Sequence, residues 1–131
     1  MAEPDSDRVR LRALVHGFYD ELRQDEEIGP LFERAIGHDW QAHLDRMVEF
    51  WATLVLGSRS FTGDVFGRHM AVPGLQPAMF ARWQAVWKKH TEARFEPARA
   101  AELQRIAAGI AANLSRGLAK RDASMGIALG R

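Results

Sequence analysis

The sequence predicts an all-α domain, and three observations carry the prediction. Apolar residues recur at spacings of three and four through most of the 131-residue chain. No stretch keeps the strict alternation of a half-buried strand. Glycine and proline gather at 29–30, through 57–77 and at 97, where helices must stop or start. A chain of this length suits one domain with one core. That domain is expected over residues 1–120, and the glycines and small residues of 121–131 suggest a flexible tail.

The first helix is expected to start near Asp5 or Ser6, either of which can accept a hydrogen bond as an N-cap. Leu11, Leu14, Val15, Phe18 and Leu22 form its apolar stripe, and it should end near Asp25. Gly29-Pro30 then breaks the chain before a short helical turn from Leu31 to Ile36. Asp39 can cap the next helix, whose stripe is Trp40, Leu44, Met47, Trp51, Leu54 and Val55, and Gly57 ends it. Residues 57–76 hold four glycines and a proline and keep no period. A long irregular stretch in a compact domain is usually functional or disordered. Pro77 fits the first position of a fourth helix with Phe80, Trp83, Val86 and Trp87 as its stripe, ending near Phe95. Pro97 opens a fifth, with Leu103, Ile106, Ile110 and Leu114. Helices this short leave crossed packing and a parallel bundle both open.

Composition narrows the function. Net charge is +1 with both signs interspersed, so no nucleic-acid or membrane-surface partner is expected. The longest nearly unbroken apolar run, Phe50 to Leu56, falls far short of the roughly 20 residues that cross a bilayer. Met1-Ala2-Glu3-Pro4-Asp5 is acidic and unlike a secretory signal, so a cytoplasmic location is expected. The absence of cysteine excludes disulfides, thiolate zinc, iron–sulfur clusters, thiolate-ligated haem and covalent haem attachment.

Among the residues that could carry chemistry, His69 stands apart because it lies in the glycine-punctuated stretch 63–73. A loop histidine in solvent is the plain reading. Its neighbours Val65, Phe66, Met70 and Val72 are apolar, however, so the segment is expected to pack against something. His43 shares a helix face with Trp40 and Met47, and is either a satisfied core histidine or a polar group aimed into a cavity. Tyr19 sits at the edge of the first stripe, where its hydroxyl can face water or point inward. Trp83 is a packing residue or a buried indole donor, and Trp87 reads as core. His16, His38 and His90 have charged or polar neighbours and look solvated. No zinc-binding H-E-x-x-H, nucleophilic triad or phosphate loop is present. One imidazole with an open face, opposite a few polar groups in an apolar cavity, is what a haem pocket requires.

Taken in order, the motifs resemble the truncated haemoglobins, most closely their third group. The blocks are Phe18-Tyr19-Asp20-Glu21-Leu22-Arg23-Gln24-Asp25 leading to Ile28-Gly29-Pro30-Leu31-Phe32, then Trp40-Gln41-Ala42-His43-Leu44-Asp45-Arg46-Met47 leading to Phe50-Trp51 and Leu54-Val55-Leu56-Gly57. Gly63, His69 and Pro73 follow, and then Phe80-Ala81-Arg82-Trp83. The match runs from about Val9 to Leu118. The resemblance implies a shortened globin fold, with two helix pairs sandwiching a non-covalent haem b (iron protoporphyrin IX). It makes His69 the proximal iron ligand and Tyr19, His43 and Trp83 the distal polar residues. Phe32 would pack on the haem, and Met47 and Trp51 would face the cavity from the distal helix. Phe50, Phe66 and Phe80 complete the apolar walls, and Arg46, Arg59 and Arg68 are candidates for the propionates. Phe61, Asp64-Val65 and Val72 depart from the group's pattern, which usually has tyrosine, Asn-Pro and leucine there.

The function so implied is binding of O2, NO or CO at the iron, for ligand chemistry or sensing in preference to bulk oxygen transport. The alternatives are a haem enzyme with nitric oxide dioxygenase or peroxidase-like activity, served by a separate reductase, and a haem-free helical interaction module.

Overall fold

The computed structural model describes the backbone of residues 4–61, 63–72 and 74–128, and the side chains of 6–61, 63–72 and 74–122. Six helices follow one another: α1 (Pro4–Leu22), α2 (Ile28–Ile36), α3 (Trp40–Leu56), α4 (Val65–Met70), α5 (Met79–Arg94) and α6 (Pro97–Ala128). Helix α1 packs on α3, α5 packs on α6, and α1 also crosses α5. Two helix pairs are thus joined face to face, the two-over-two arrangement of a shortened globin. Helix α4 rests on α6. No strand occurs among the described residues, and no helix there is long and apolar enough to cross a membrane.

The stripe on α1 is buried as its spacing predicts, with Leu11, Leu14, Val15, Phe18 and Leu22 all at 1% exposure or less. Its partners are aromatic. Trp51 of α3 stacks on Trp87 of α5 with ring centroids 4.5 Å apart, and Phe18 meets Trp87 edge-on at 4.9 Å. Such pairs add about 0.5–1.5 kcal/mol beyond their buried area. The Trp87 indole N–H donates to the Leu103 carbonyl of α6 at 3.1 Å, so Trp87 is core, as read from the sequence. Helix α6 approaches closely because Ala100, Ala107 and Ala111 share its buried face with Leu103, Leu114 and Leu118.

The buried face of α3 is Trp40, Leu44, Val48, Trp51 and Ala52. Leu54, placed on the stripe by its spacing, is 44% exposed. It lies on the flank turned away from α1, towards a gap beside α4 and α6.

Several boundaries differ from expectation. Helix α1 begins at Pro4, ahead of the expected caps. The first break falls at 23–27, not at Gly29-Pro30. Asp25 closes it: its Oδ1 accepts the N–H groups of Glu27 and Ile28, each at 2.9 Å. Those bonds, led by the one from Ile28, together with nearby Arg82, hold the Asp25 carboxyl below its ordinary pKa. Pro30 then sits in the first turn of α2, where the N–H it lacks is not needed. Asp39 occupies the cap position of α3, but its side chain makes no capping bond. Gly57 ends α3 as predicted, in a left-handed conformation (φ 69°) with its N–H on the Ala52 carbonyl. Pro77 precedes α5 by two residues and lies in the turn, whereas Pro97 opens α6 as expected. Helix α6 continues to Ala128 through much of the stretch expected to be a tail, while residues 129–131, like Pro73, lie outside the described residues.

Two ion pairs tie α1 to α3 at their exposed edge. Arg8 grips Glu49 through both guanidinium Nη atoms at 2.7 and 2.8 Å, and Arg12 meets Asp45 at 2.9 Å.

Gly29 lies against the backbone carbonyl of Arg23, which a Cβ would strike. Backbone cannot yield as a side chain does. Gly29→Ala is therefore expected to cost about 1–3 kcal/mol by overpacking, read from the midpoint of urea unfolding. Unchanged stability would show that the α1–α2 turn relaxes freely.

Candidate functional site

A helix of six residues such as α4 does not persist alone. Its shape is imposed from outside. At its start, the Asp64 Oδ1 accepts the Gly67 N–H at 2.9 Å. Gly67 permits this closeness, since a Cβ there would collide with that carboxylate. The Asp64-Val65 departure from the group's pattern therefore keeps a cap on the helix. At its end, Arg121 of α6 donates to the carbonyls of Met70, Val72 and Leu75. Between them, Gly117 of α6 makes room: a Cβ there would lie 2.7 Å from the Phe66 ring and 2.9 Å from the Met70 Sδ.

His69 is half-buried on this helix, and its Nδ1 lies 2.7 Å from the Val65 carbonyl oxygen one turn back. A carbonyl can only accept. The proton is therefore assigned to Nδ1, leaving the lone pair on Nε2.

Helices α1, α2 and α3 gather a second group. Tyr19 meets His43 edge-on at 5.2 Å and Phe32 at 5.6 Å, and Trp40 meets His43 at 5.8 Å. Tyr19 is only partly buried by surface area, yet its phenol lies deep enough that burial raises its pKa. It stays protonated and able to donate. Burial lowers the His43 pKa to about 4, helped by the nearby Arg46, His69 and Arg68 side chains. The last two belong to α4, so the group around His43 and the helix bearing His69 lie within electrostatic reach of each other. The Nε2 of His43 and the Nε1 of Trp40 are both buried without a hydrogen-bond partner. Leaving such an atom unsatisfied costs about 1–3 kcal/mol.

Trp83 is half-buried between Phe18 (5.9 Å) and Phe80 (6.0 Å). Phe80 is buried, Met47 and Phe50 pack partly buried against the core, and Phe66 is 43% exposed. Trp51 lies in the tryptophan stack. An apolar cavity of about 320 Å³ opens beside α4, walled by Phe50 and Leu54 of α3, Val65 and Phe66, and Ile106 and Ile110 of α6. His69 and His43 do not line it. Phe61 packs on Phe50 at 5.1 Å and needs no hydroxyl there. The sequence-predicted residues thus form three neighbouring groups: Tyr19, Phe32 and His43; Phe80 and Trp83; and His69 with the walls around α4.

Two of the remaining histidines correct the sequence reading. His90 is not solvated: its Nε2 meets Glu21 at 2.9 Å and its Nδ1 meets Arg94 at 2.9 Å. His16 has a buried Nε2 without a partner, and only His38 is exposed. Sequence reasoning missed the Trp40 indole, which it took for packing, and Arg121 entirely. The available signal for Arg121 was its place on the face of Leu114 and Leu118, seven and three residues after them.

The fold is that of a truncated globin. By sequence as well as by fold, the chain is similar to the third group of truncated haemoglobins, the group its motifs resemble. A group 3 truncated haemoglobin of Campylobacter jejuni, ctb, is 29% identical over 79 residues, 58% of this chain and 62% of that protein. The match thus spans less than two thirds of that relative. The crystal structure of group III truncated haemoglobin from Campylobacter jejuni superposes with a TM-score of 0.80 at 24% identity, covering 85% of this chain and 90% of that one. No family model matches the chain.

The His43 shift has a measurable sign. Above pH 6.5 the imidazole is neutral in folded and unfolded chains alike. Between 6.5 and about 4 the unfolded chain takes up a proton that the folded chain refuses, so stability falls as pH drops. Urea unfolding across this window should show that slope in the parent and a flatter one in His43→Leu. Equal slopes would mean that His43 titrates as if in water.

Proposed function

We propose that the chain is a haem-binding globin in which His69 holds the iron and a diatomic gas (O2, NO or CO) binds beside Tyr19, His43 and Trp83. The observation that carries this reading is the unlike state of two neighbouring imidazoles. His69 has Nδ1 engaged by the Val65 carbonyl, which leaves Nε2 as a base. His43 is neutral, with a buried Nε2 that nothing in the protein satisfies.

The residues present fit haem b. There is no cysteine for covalent attachment, and the free Nε2 of His69 would be a suitable donor to the iron. Phe32, Met47, Phe50, Trp51, Phe66, Phe80 and Trp83 are the apolar contacts this reading assigns, with burial of apolar surface contributing roughly 25 cal/mol per Å². Among the described residues, Arg46 and Arg68 have no ion-pair partner, and both act on His43. They are the propionate partners this reading prefers over Arg59, whose charge is not among those acting on His43.

When bound, the haem would supply the ferrous iron to which a small gas attaches. The chain supplies the rest. The Val65 carbonyl fixes the tautomer of His69 and the orientation of its ring. Tyr19 keeps its proton and donates it as a hydrogen bond. His43, being neutral, can donate or accept through Nε2, and the Trp83 indole can only donate. Each 1.4 kcal/mol of such bonding slows release about tenfold. Several donors around one gas molecule suit chemistry on the ligand or sensing better than bulk delivery.

Reconstitution with haem followed by absorption spectroscopy tests the ligand. His69→Ala should abolish or sharply weaken haem retention, and an unchanged Soret band in that variant would overturn the assignment. Tyr19→Phe should release O2 about tenfold to a hundredfold faster in stopped-flow mixing, for a lost hydrogen bond of about 1.5–3 kcal/mol. An unchanged rate would remove Tyr19 from the gas site.

A further inference from the structure

We infer that Arg121 is a positioning residue for His69, an inference that rests on the reading of His69 as the iron ligand. One guanidinium makes three bonds to the chain that leaves α4. Its Nη1 donates to the carbonyls of Met70 at 3.2 Å and Val72 at 3.0 Å, and its Nη2 to that of Leu75 at 2.8 Å. Met70 directly follows His69 and is the last residue of α4. Carbonyls at a helix end have no acceptor role inside the helix and need donors from elsewhere.

The donor is well placed to hold them. The Arg121 side chain is 23% exposed, so water competes weakly for its N–H groups. Its Nε also meets Asp122 at 3.2 Å, which occupies the remaining edge of the fork. Hydrogen bonds from a charged donor are roughly twice as strong as neutral ones. The planar fork reaches three carbonyls in one fixed geometry, which a lysine ammonium cannot reproduce.

The helix held this way has little other support. Its main helix neighbour is α6. Gly117 lets Phe66 and Met70 settle onto α6, and Arg121, one turn later, ties down the chain that follows. The direction of the His69 Nε2 is then set by α6. Without Arg121, the Asp64 cap and the seating of Phe66 and Met70 on α6 remain, but the C-terminal end of α4 beside His69 loses its anchor.

The test compares the full chain with Arg121→Gln and Arg121→Lys, each haem-free and haem-loaded. In the haem-free chains, amide exchange at residues 68–75 should be at least tenfold faster in Arg121→Gln and intermediate in Arg121→Lys, with α1 and α5 unchanged. In the loaded ferrous chains, the iron–histidine stretching band should shift and broaden in Arg121→Gln, with partial recovery in Arg121→Lys. Haem loss to an excess of a competing apo-globin should rise about tenfold. Unchanged exchange at 68–75 overturns the clamp. Faster exchange with an unmoved band and unchanged haem loss overturns the positioning role, since Arg121 would then hold only the loop. Persistence of the parent's band in His69→Ala would overturn the underlying reading separately and take the positioning role with it, while amide exchange would still report the clamp.

Discussion

The stack of Trp51 on Trp87, with Phe18 edge-on beside it, is the contact on which the placement of most other groups depends. It joins α1, α3 and α5, and the Trp87 indole extends it to α6 through the Leu103 carbonyl. Each polar residue of the proposed gas site lies a short, fixed helical distance from a member of this stack. Tyr19 follows Phe18 directly, Trp83 lies one turn before Trp87, and His43 lies about two turns before Trp51. Close-packed rings resist displacement, so the polar groups inherit positions that their own hydrogen bonds do not supply. This explains how His43 and Trp40 can keep buried, unpartnered nitrogens. Their rings are held by packing, and the cost is carried by the core.

Helix α4 belongs to a different regime. It has no buried residue of its own, and it is kept in shape by a carboxylate at one end and a guanidinium at the other. Local openings draw on segments with few buried apolar contacts, and α4 is such a segment. The proposed iron site therefore pairs a rigid wall of aromatic side chains with a lightly held helix.

The legibility of this arrangement in the sequence follows the same division. The α1 stripe was readable because two helices cover that face and every position on it is large and apolar. The faces of α3 and α6 were read less well. Val48, Ala52, Ala107 and Ala111 are buried there, but alanine serves equally well on any side of a helix and leaves no periodic mark. Gly29-Pro30 looked like a break because proline ends helices, whereas in a first turn it costs nothing. At the site, the order and spacing of Tyr19, His43, His69 and Trp83 carried the resemblance. His90 was misread because its partner Glu21 lies 69 residues away. Arg121 was missed for a different reason: its helix face was legible, but its acceptors are backbone carbonyls, which every residue possesses.

The two ion pairs at the edge of α1 and α3 act as a vernier. Arg8 with Glu49 and Arg12 with Asp45 step one turn forward on one helix and one turn back on the other, as antiparallel neighbours must. Open to water in whole or in part, each contributes about 1 kcal/mol or less. Their geometry matters more than their energy. Sliding α1 along α3 by one turn, about 5.4 Å, would leave one pair with exchanged partners where there are two, and would carry the Tyr19 ring away from the His43 ring, now 5.2 Å from it. A pair of weak surface contacts thereby marks on the outside the same register that the core sets between a phenol and an imidazole in the interior.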